Sequence, residues 1–118
     1  MRIDKTNKLI YGVCFYFYPG NNVTLRTLDL SWNHIRTNGS FGFSKGLKHN
    51  STLERLNLAM NGLHVEGTRH LMAGLKGNES LRDLDLSANR IEIEGAKAVA
   101  RNLSHMLSLL ALRVCTDY

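Results

Sequence analysis

The chain repeats one phrase three times, at intervals of 28 residues. The phrase has the form L-x-x-L-x-L-x-x-N-x-(I/L) and begins at Leu25, Leu53 and Leu81. A fixed period of this length is typical of solenoids, in which each repeat buries its apolar face only against its neighbours. We therefore expect an α/β solenoid in which every repeat contributes one short strand and one helix.

The first part of each repeat alternates apolar and polar residues, as a short strand does. Leu56 and Leu58 lie two residues apart and therefore face the same side, which must be the core. Arg55 and Asn57 alternate with them and face outward. Equivalent residues of successive repeats are thus expected to form columns across a parallel sheet, with neighbouring strands about 4.8 Å apart.

The second part of each repeat has helical spacing, with apolar residues four apart. In the second repeat the change of period predicts a helix from Thr68, preceded by Gly67 at a close approach or an unusual φ. The third repeat is rich in alanine and predicts the most regular helix. The first repeat predicts a short or frayed helix, because each interior glycine costs about 0.5–1 kcal/mol relative to alanine; its glycines are Gly39, Gly42 and Gly46.

One asparagine recurs where the chain turns out of each strand, at Asn33, Asn61 and Asn89. A carboxamide both donates and accepts hydrogen bonds, so it can satisfy backbone groups that a turn leaves unpaired. We therefore predict that these residues form a structural asparagine ladder and do not bind a ligand.

The two ends of the chain depart from the repeated phrase. Residues 1–24 are interpreted as a degenerate N-terminal segment or partial repeat, residues 25–108 as three 28-residue repeats, and residues 109–118 as a partial fourth repeat. Pro19 stands where a helical leucine is expected, Met106 replaces an expected asparagine, and Asp117 replaces another. Atypical ends are consistent with caps. A fragment of a longer protein is the slightly favoured alternative, because a bare fourth strand leaves an open sheet edge.

The repeated phrase and its helix, which run from Leu25 to Ser108, resemble the ribonuclease-inhibitor-like subfamily of leucine-rich repeat proteins. The segment LDLSWNHIRTNG is also similar to the group named leucine-rich repeat-containing protein 74. The resemblance implies a curved right-handed β-α superhelix with its parallel sheet on the concave face. It further implies an intracellular scaffold that binds another protein, although members of the family have very different partners.

The outward columns of the sheet are the expected binding surface. Trp32 is the only tryptophan of the chain and lies at a position that the repeat need not bury, and tryptophan and arginine are frequent at binding hot spots. Two structural alternatives remain open: Trp32 packs against Met60 or the N-terminal segment, and Arg55 pairs with Asp83 across the strands. The candidate partner-binding residues are Thr27, Asp29, Trp32, His34, Arg55, Asn57, Met60, Asp83, Asp85 and Arg113.

The sequence lacks the motifs of common enzyme classes. It contains no glycine-rich phosphate loop, no nucleophile elbow and no HExxH motif. The five histidines are interpreted as surface residues, so we expect no enzyme activity, no catalytic residue, no cofactor and no metal site. The net charge is +5, but acidic residues are scattered throughout. We therefore do not expect a nucleic acid as the partner, since binding it needs a contiguous basic stripe.

The distribution of cysteines and apolar residues favours a cytoplasmic protein. Cys14 and Cys115 lie near opposite ends of the chain, where a solenoid holds them apart, and unpaired thiols suit a reducing compartment. No segment has the roughly 18 apolar residues that a membrane span needs. Secretion is the alternative, because Leu9–Tyr18 has the outline of a signal peptide, although without a cleavage site. Five N-x-S/T triplets would then accept glycans.

Three hypotheses for function follow from these observations. The first is a protein–protein interaction scaffold that binds its partner through the concave sheet. The second is a regulator of an enzyme, either a GTPase activator or an inhibitor, that acts through the same surface. The third is a structural fragment of a larger leucine-rich repeat protein, without a partner of its own.

Overall fold

The computed structural model of the protein describes residues 23–114. The signal-like segment, both cysteines, Pro19 and Asp117 lie outside the described residues. Strands and helices alternate along the chain: β1 (Thr27–Asp29), α1 (Arg36–His49), β2 (Arg55–Asn57), α2 (His64–Leu75), β3 (Asp83–Asp85), α3 (Glu92–Leu103) and β4 (Ala111–Arg113).

The four strands form one parallel sheet in the order β1-β2-β3-β4, and the helices form a second layer. Residue i of one strand pairs with residue i+28 of the next, as in Leu28 with Leu56 and Leu56 with Leu84. Helix α2 packs against both α1 and α3. The structure therefore confirms an α/β solenoid with one strand and one helix per repeat. No helix within residues 23–114 has the length and apolar character needed to cross a membrane.

The core lies between the two layers and is built from the repeated leucines. Leu28, Leu56 and Leu84 stack from strand to strand, and each is 2% exposed or less. Burying such a side chain stabilises the fold by roughly 1.5–3 kcal/mol relative to leaving it exposed. Packing therefore holds strands of only three residues, which would not be stable as isolated β-structure.

A ladder of asparagine side chains holds the turn that follows each strand. Asn61 is fully buried, and its Oδ1 accepts hydrogen bonds from the backbone amides of Asn33 (3.0 Å) and Ile35 (3.2 Å). Its Nδ2 donates to the carbonyls of Leu30 and Leu58, both at 2.9 Å. Asn89 makes the equivalent bonds to the second repeat and to Leu86 of its own repeat. One carboxamide thus joins the turns of two adjacent repeats.

A second asparagine ladder, which the repeated phrase did not predict, lies at the opposite turns, between helix and strand. Nδ2 of Asn78 donates to the carbonyls of Leu47 (3.1 Å) and Asn50 (3.0 Å) in the preceding repeat. Its Oδ1 accepts from the amide of Leu81 at 2.9 Å, and Oδ1 of Asn50 accepts from Leu53 in the same way. Met106, which replaces the next asparagine, is buried but carries no carboxamide, so this ladder ends there.

The prediction that the first helix is short or frayed is wrong. Helix α1 has 14 residues, against 12 in each of the other two helices. Phe43 and Leu47 are buried along its inner side. The Ser40 hydroxyl donates to the carbonyl of Gly67 in α2. Side-chain burial and contacts with α2 therefore outweigh the cost of the glycines in α1.

The predicted start of the second helix is also corrected. Helix α2 begins at His64, four residues before Thr68. Gly67 lies within the helix, where a Cβ atom would be only 3.4 Å from the Thr37 Cα, so its role is close approach and not an unusual φ. Positive φ occurs instead at alternate residues of the preceding turn, Met60 (57°) and Gly62 (63°), and at the first helical residue, His64 (56°).

Candidate functional site on the concave face

The pairing register places the outward strand residues in the two expected columns. One column contains Thr27, Arg55, Asp83 and Ala111, and the other contains Asp29, Asn57, Asp85 and Arg113. The leucine between the two outward residues of each strand points into the core, so the columns run side by side across the sheet. Together they form the concave face.

The cross-strand pair between Arg55 and Asp83, one of the two structural alternatives, does not form. Arg55 is exposed and, within residues 23–114, forms no ion pair with Asp83 or with any other carboxylate. Asp83 instead pairs with Arg113 on the next strand. Arg113 spans both columns, because its Nε also donates to Asp85 at 3.3 Å. The Arg113 guanidinium thus joins the two aspartates of β3, and Arg55 has no carboxylate partner within residues 23–114.

The second column has a structural role in addition to any role in binding. Oδ1 of Asp29 accepts hydrogen bonds from the amide (2.9 Å) and hydroxyl (2.6 Å) of Ser31. Oδ1 of Asn57 accepts from the Ala59 amide at 3.0 Å. Such bonds to the residue two positions ahead form Asx turns, so these side chains guide the chain out of the strand.

Asp85 occupies the same position in the third repeat and is held in its charged form. Burial raises the pKa of its carboxyl, but hydrogen bonds from the Ser87 hydroxyl and amide and from Arg113 outweigh this effect. The pKa of Asp85 is therefore below its ordinary value. The stability of the turn and of the ion pair should depend on this carboxylate remaining ionised.

Trp32 lies at the edge of the concave face, just beyond β1. It is 55% exposed, so packing against Met60 does not bury it. The alternative contact, with the N-terminal segment, lies outside the described residues. Its φ of 62° is unusual for a bulky residue, but the equivalent residues Met60 and Ala88 have almost the same value (57° and 55°). The turn imposes this conformation in every repeat, and the indole is not needed to maintain it.

Six of the ten candidate residues surround one shallow depression in the concave face. Its volume is about 210 Å³, and the candidates that line it are Thr27, Asp29, Arg55, Asn57, Asp83 and Arg113. Asp85 lies beside it, bound to Arg113. Trp32, His34 and Met60 lie farther along the turns, and the last two line a separate cavity of about 550 Å³.

The residues that complete this second cavity were not among the predicted site residues. They are Arg36, Thr37, Asn38, Gly62, His64, Ala88 and Arg90. Arg36 and His64 are 28 residues apart, so the repeat spacing alone could have placed them in one column. Their meeting beside Gly62 depends on the conformation of the turn, which the spacing does not reveal.

The concave face presents charges, hydrogen-bonding groups and, at its edge, an exposed aromatic ring. Within the described residues, no group of three or more His, Cys, Asp or Glu side chains is arranged to hold a metal ion. Arg55 lines the depression and has no carboxylate partner in this part of the chain. Asp83 also lines the depression, and Arg113 bridges it to Asp85. The concave face therefore carries charges of both signs side by side.

Comparisons with known proteins agree with the fold. A family model described as "Leucine Rich repeat" matches residues 21–41, 49–71 and 77–100, which together make up more than half of the chain. Among solved structures, "Leiomodin-1 Actin-Binding Site 2 (ABS2)" matches with a TM-score of 0.81 and 19% sequence identity. The match covers 99% of this chain and 71% of that chain. At this identity the likeness shows a shared fold. No curated protein matches the sequence.

Proposed function

The chain belongs to the leucine-rich repeat family, and from that premise we propose that it binds a protein partner across its concave sheet. The fold is a scaffold for protein interaction, since its regular strands present outward side chains in fixed columns. Specificity then resides in the side chains of the columns and not in the fold. The Asp29 and Asn57 side chains of the second column already accept hydrogen bonds in Asx turns. We therefore assign most of the binding to the first column and to Trp32.

The observation that carries this proposal is that Arg55 is exposed and has no ion pair within the described residues. It is exposed in the second strand of the four-stranded sheet, lines the depression and forms no ion pair within residues 23–114. Arginine is enriched at binding hot spots because its guanidinium offers several donors in a fixed plane. A carboxylate of the partner placed in the depression would meet Arg55, while a basic group would meet the aspartates bridged by Arg113.

Actin is the first defined partner to test. The leiomodin-1 structure carries an actin-binding site on the same fold, but its 19% identity does not transfer that partner to this chain. We infer further that the repeat is of the ribonuclease-inhibitor-like type, on the basis of its 28-residue period and its helices of 12–14 residues. Membership in the leucine-rich repeat-containing protein 74 group remains a proposal from the segment LDLSWNHIRTNG.

A cytoplasmic location is also proposed. Two of the five glycosylation triplets begin at Asn50 and Asn78, which are 6% and 8% exposed. Their carboxamides hold backbone groups in the second ladder, so a glycan there is incompatible with the folded chain. Asn38 is exposed and is the informative site. Mass spectrometry of the cell-derived protein should find it unmodified, and a mass shift removed by a glycosidase would contradict this location.

The binding proposal can be tested with substitutions that the fold should tolerate. Arg55→Glu reverses the charge in the depression, and Trp32→Ala removes an exposed ring, while Lys48→Ala removes an exposed cation from α1 as the matched control. Binding to actin and to proteins captured from cell lysate is then compared among the variants. We expect Arg55→Glu and Trp32→Ala to weaken binding by about tenfold or more, whereas Lys48→Ala leaves it unchanged. Equal effects of all three would exclude the concave face as the binding surface.

A further inference from the structure

A second concave feature lies at the turns between the strands and the helices, beside the concave sheet face. This groove, the cavity of about 550 Å³ described above, is lined by residues of all three repeats. Its side chains include two arginines and two histidines, but no aspartate or glutamate: His34, Arg36, His64 and Arg90. The groove is therefore distinct in position and charge from the depression around Arg55.

A glycine creates the space inside this groove. The first and third repeats have His34 and Arg90 at the position that Gly62 occupies in the second repeat. A Cβ atom on Gly62 would lie 3.9 Å from the Arg36 Cγ and 4.0 Å from the His64 Nε2. The side chains of Arg36 and His64 thus converge over a residue that has no side chain, and a ligand group can enter between them.

The ends of the helices add to the preference for negative charge. Helices α1 and α2 begin at this groove, and neither has a side-chain cap, because Ile35 and Leu63 stand at the cap positions. The first amides are already used, since Arg36 N donates to the Asn61 carbonyl and His64 N to the Asn89 carbonyl, both at 2.9 Å. Recognition must therefore come from the side chains, with a favourable contribution from the helix dipoles.

The acidic residues near the turns do not neutralise the positive charge of the groove. Glu92 takes the position of Arg36 and His64 in the third repeat and does not line the groove. Glu66 and Glu94 are in α2 and α3 but pair with Arg69 and Lys97 on those helices. Within residues 23–114, no ion pair neutralises Arg36.

From these observations we propose that the groove formed by Arg36, Gly62 and His64 binds an acidic peptide segment. A glutamate or aspartate side chain of the segment enters over Gly62 and pairs with the Arg36 guanidinium and the His64 ring. The other walls, including Met60 and Ala88, contact the apolar parts of the peptide. This surface is independent of the concave face, and one partner could occupy both only by extending over the turns.

The test is a fluorescence anisotropy titration with a short, labelled, glutamate-rich peptide. A glutamine-rich peptide of the same length provides the neutral comparison. The chain should bind the acidic peptide and not the neutral one, and added salt should weaken the binding because the charges are exposed. The Arg36→Gln, His64→Gln double variant should weaken it about tenfold. Gly62→His, which fills the groove with the residue type found at position 34, should also weaken it.

Two control variants show whether the groove itself holds the peptide. Lys48→Gln removes one exposed positive charge from α1 outside the groove, and Arg55→Glu changes only the concave face. Lys48→Gln should bind the acidic peptide as the unmodified chain does, and Arg55→Glu should weaken the binding less than the double variant does. Circular dichroism should show all variants folded. Three results would overturn the proposal: no binding of the acidic peptide, equal loss with Lys48→Gln, or loss with Arg55→Glu but not with the double variant. The last result would instead place the peptide on the concave face.

Discussion

Single asparagine side chains form hydrogen bonds with backbone groups of the turns, which in regular structure would bond to other backbone groups. The Asn61 carboxamide accepts two amide hydrogen bonds from the first repeat and donates to carbonyls of both the first and second repeats. Asn33 donates to Leu30 and Ser31 within its own turn. Asn33 and Asn61 occupy the same position in the repeated phrase, but Asn61 forms hydrogen bonds with more backbone groups of the described residues than Asn33 does.

We expect Asn61→Leu to lower the free energy of unfolding by about 1–3 kcal/mol, because it leaves buried backbone groups without partners. Asn33→Leu should cost less, and Asn38→Leu, at an exposed position, should have almost no effect. Urea denaturation of the three variants measures these differences. If Asn61→Leu unfolds at the same urea concentration as the unmodified chain, the ladder does not stabilise the fold.

The lowered pKa of Asp85 predicts a pH dependence of stability. The unfolded chain binds a proton to this carboxyl more readily than the folded chain does, so the stabilisation is present above the ordinary aspartate pKa of about 3.9 and is lost as the pH falls through the lowered value. Asp85→Asn should therefore reduce the loss of stability between about pH 5 and pH 3. Urea denaturation at each pH measures this.

The matched control for this measurement is Glu79→Gln, which removes an exposed carboxylate that forms no ion pair within residues 23–114. Other carboxylates also titrate in this range, so only the difference between the two variants is informative. Parallel pH profiles for Asp85→Asn and Glu79→Gln would contradict the role assigned to Asp85.

The sequence allowed some residue roles to be predicted and not others. The spacing of Asn33, Asn61 and Asn89 placed them in one column, and carboxamide chemistry suggested their bonds. The positive φ angles of Trp32 and Met60 could not be predicted, because neither residue type favours that conformation. Hydrogen bonds from neighbouring repeats hold the turn in place, such as Trp32 N to the Ala59 carbonyl at 3.0 Å. That information is not local in the sequence.

At the scale of elements, the contact between helices α1 and α2 depends on small residues. Gly74 of α2 packs directly on α1, where a Cβ atom would be 2.7 Å from the Ser44 Cα. The obstructing atoms belong to the backbone, so the helices would have to move apart. The glycines predicted to weaken the first repeat lie in α1, and Gly74 lies in α2 at its contact with α1. Small residues in α2 thus allow the two helices to pack closely.

Gly74→Ala should therefore destabilise the protein even though alanine favours helices. The gain in helix propensity is about 1 kcal/mol at most, whereas overpacking against backbone costs typically about 1–3 kcal/mol. Thermal unfolding should show a lower midpoint than for the unmodified chain, and Ala73→Ser, at the exposed neighbouring position, should cause little change. A higher midpoint for Gly74→Ala would mean that the helices are not in such close contact.

The existence and order of the elements followed from the repeat, but the length of α1 did not. Glycine content predicted a short or frayed first helix, since propensity describes an isolated helix. The observed 14 residues reflect burial of Phe43 and Leu47 in the core cluster, which the composition of one segment cannot report. The early start of α2 has a similar cause, because the turn that precedes it is held by Asn61 and Asn89.

At the scale of the whole molecule, the regular stack produces two surfaces with different chemistry. The concave face has charges of both signs around Arg55, and the groove at the turns is lined by basic side chains around Gly62. The repeat period predicted the columns of the concave face, because the register follows from 28-residue spacing. It did not predict that Asp83 pairs with Arg113 instead of Arg55, since the choice between neighbours depends on side-chain reach.

The most direct test of binding across the concave sheet is site-specific photo-crosslinking. A photoreactive amino acid replaces Thr27, an exposed residue of the concave depression, or Lys48 on α1 as the control. Each variant is added to actin and to cell lysate and then irradiated. We expect one protein to crosslink from position 27 and not from position 48, and Arg55→Glu to abolish the product. A product from position 48 alone, or no product from either position, would contradict binding across the concave sheet.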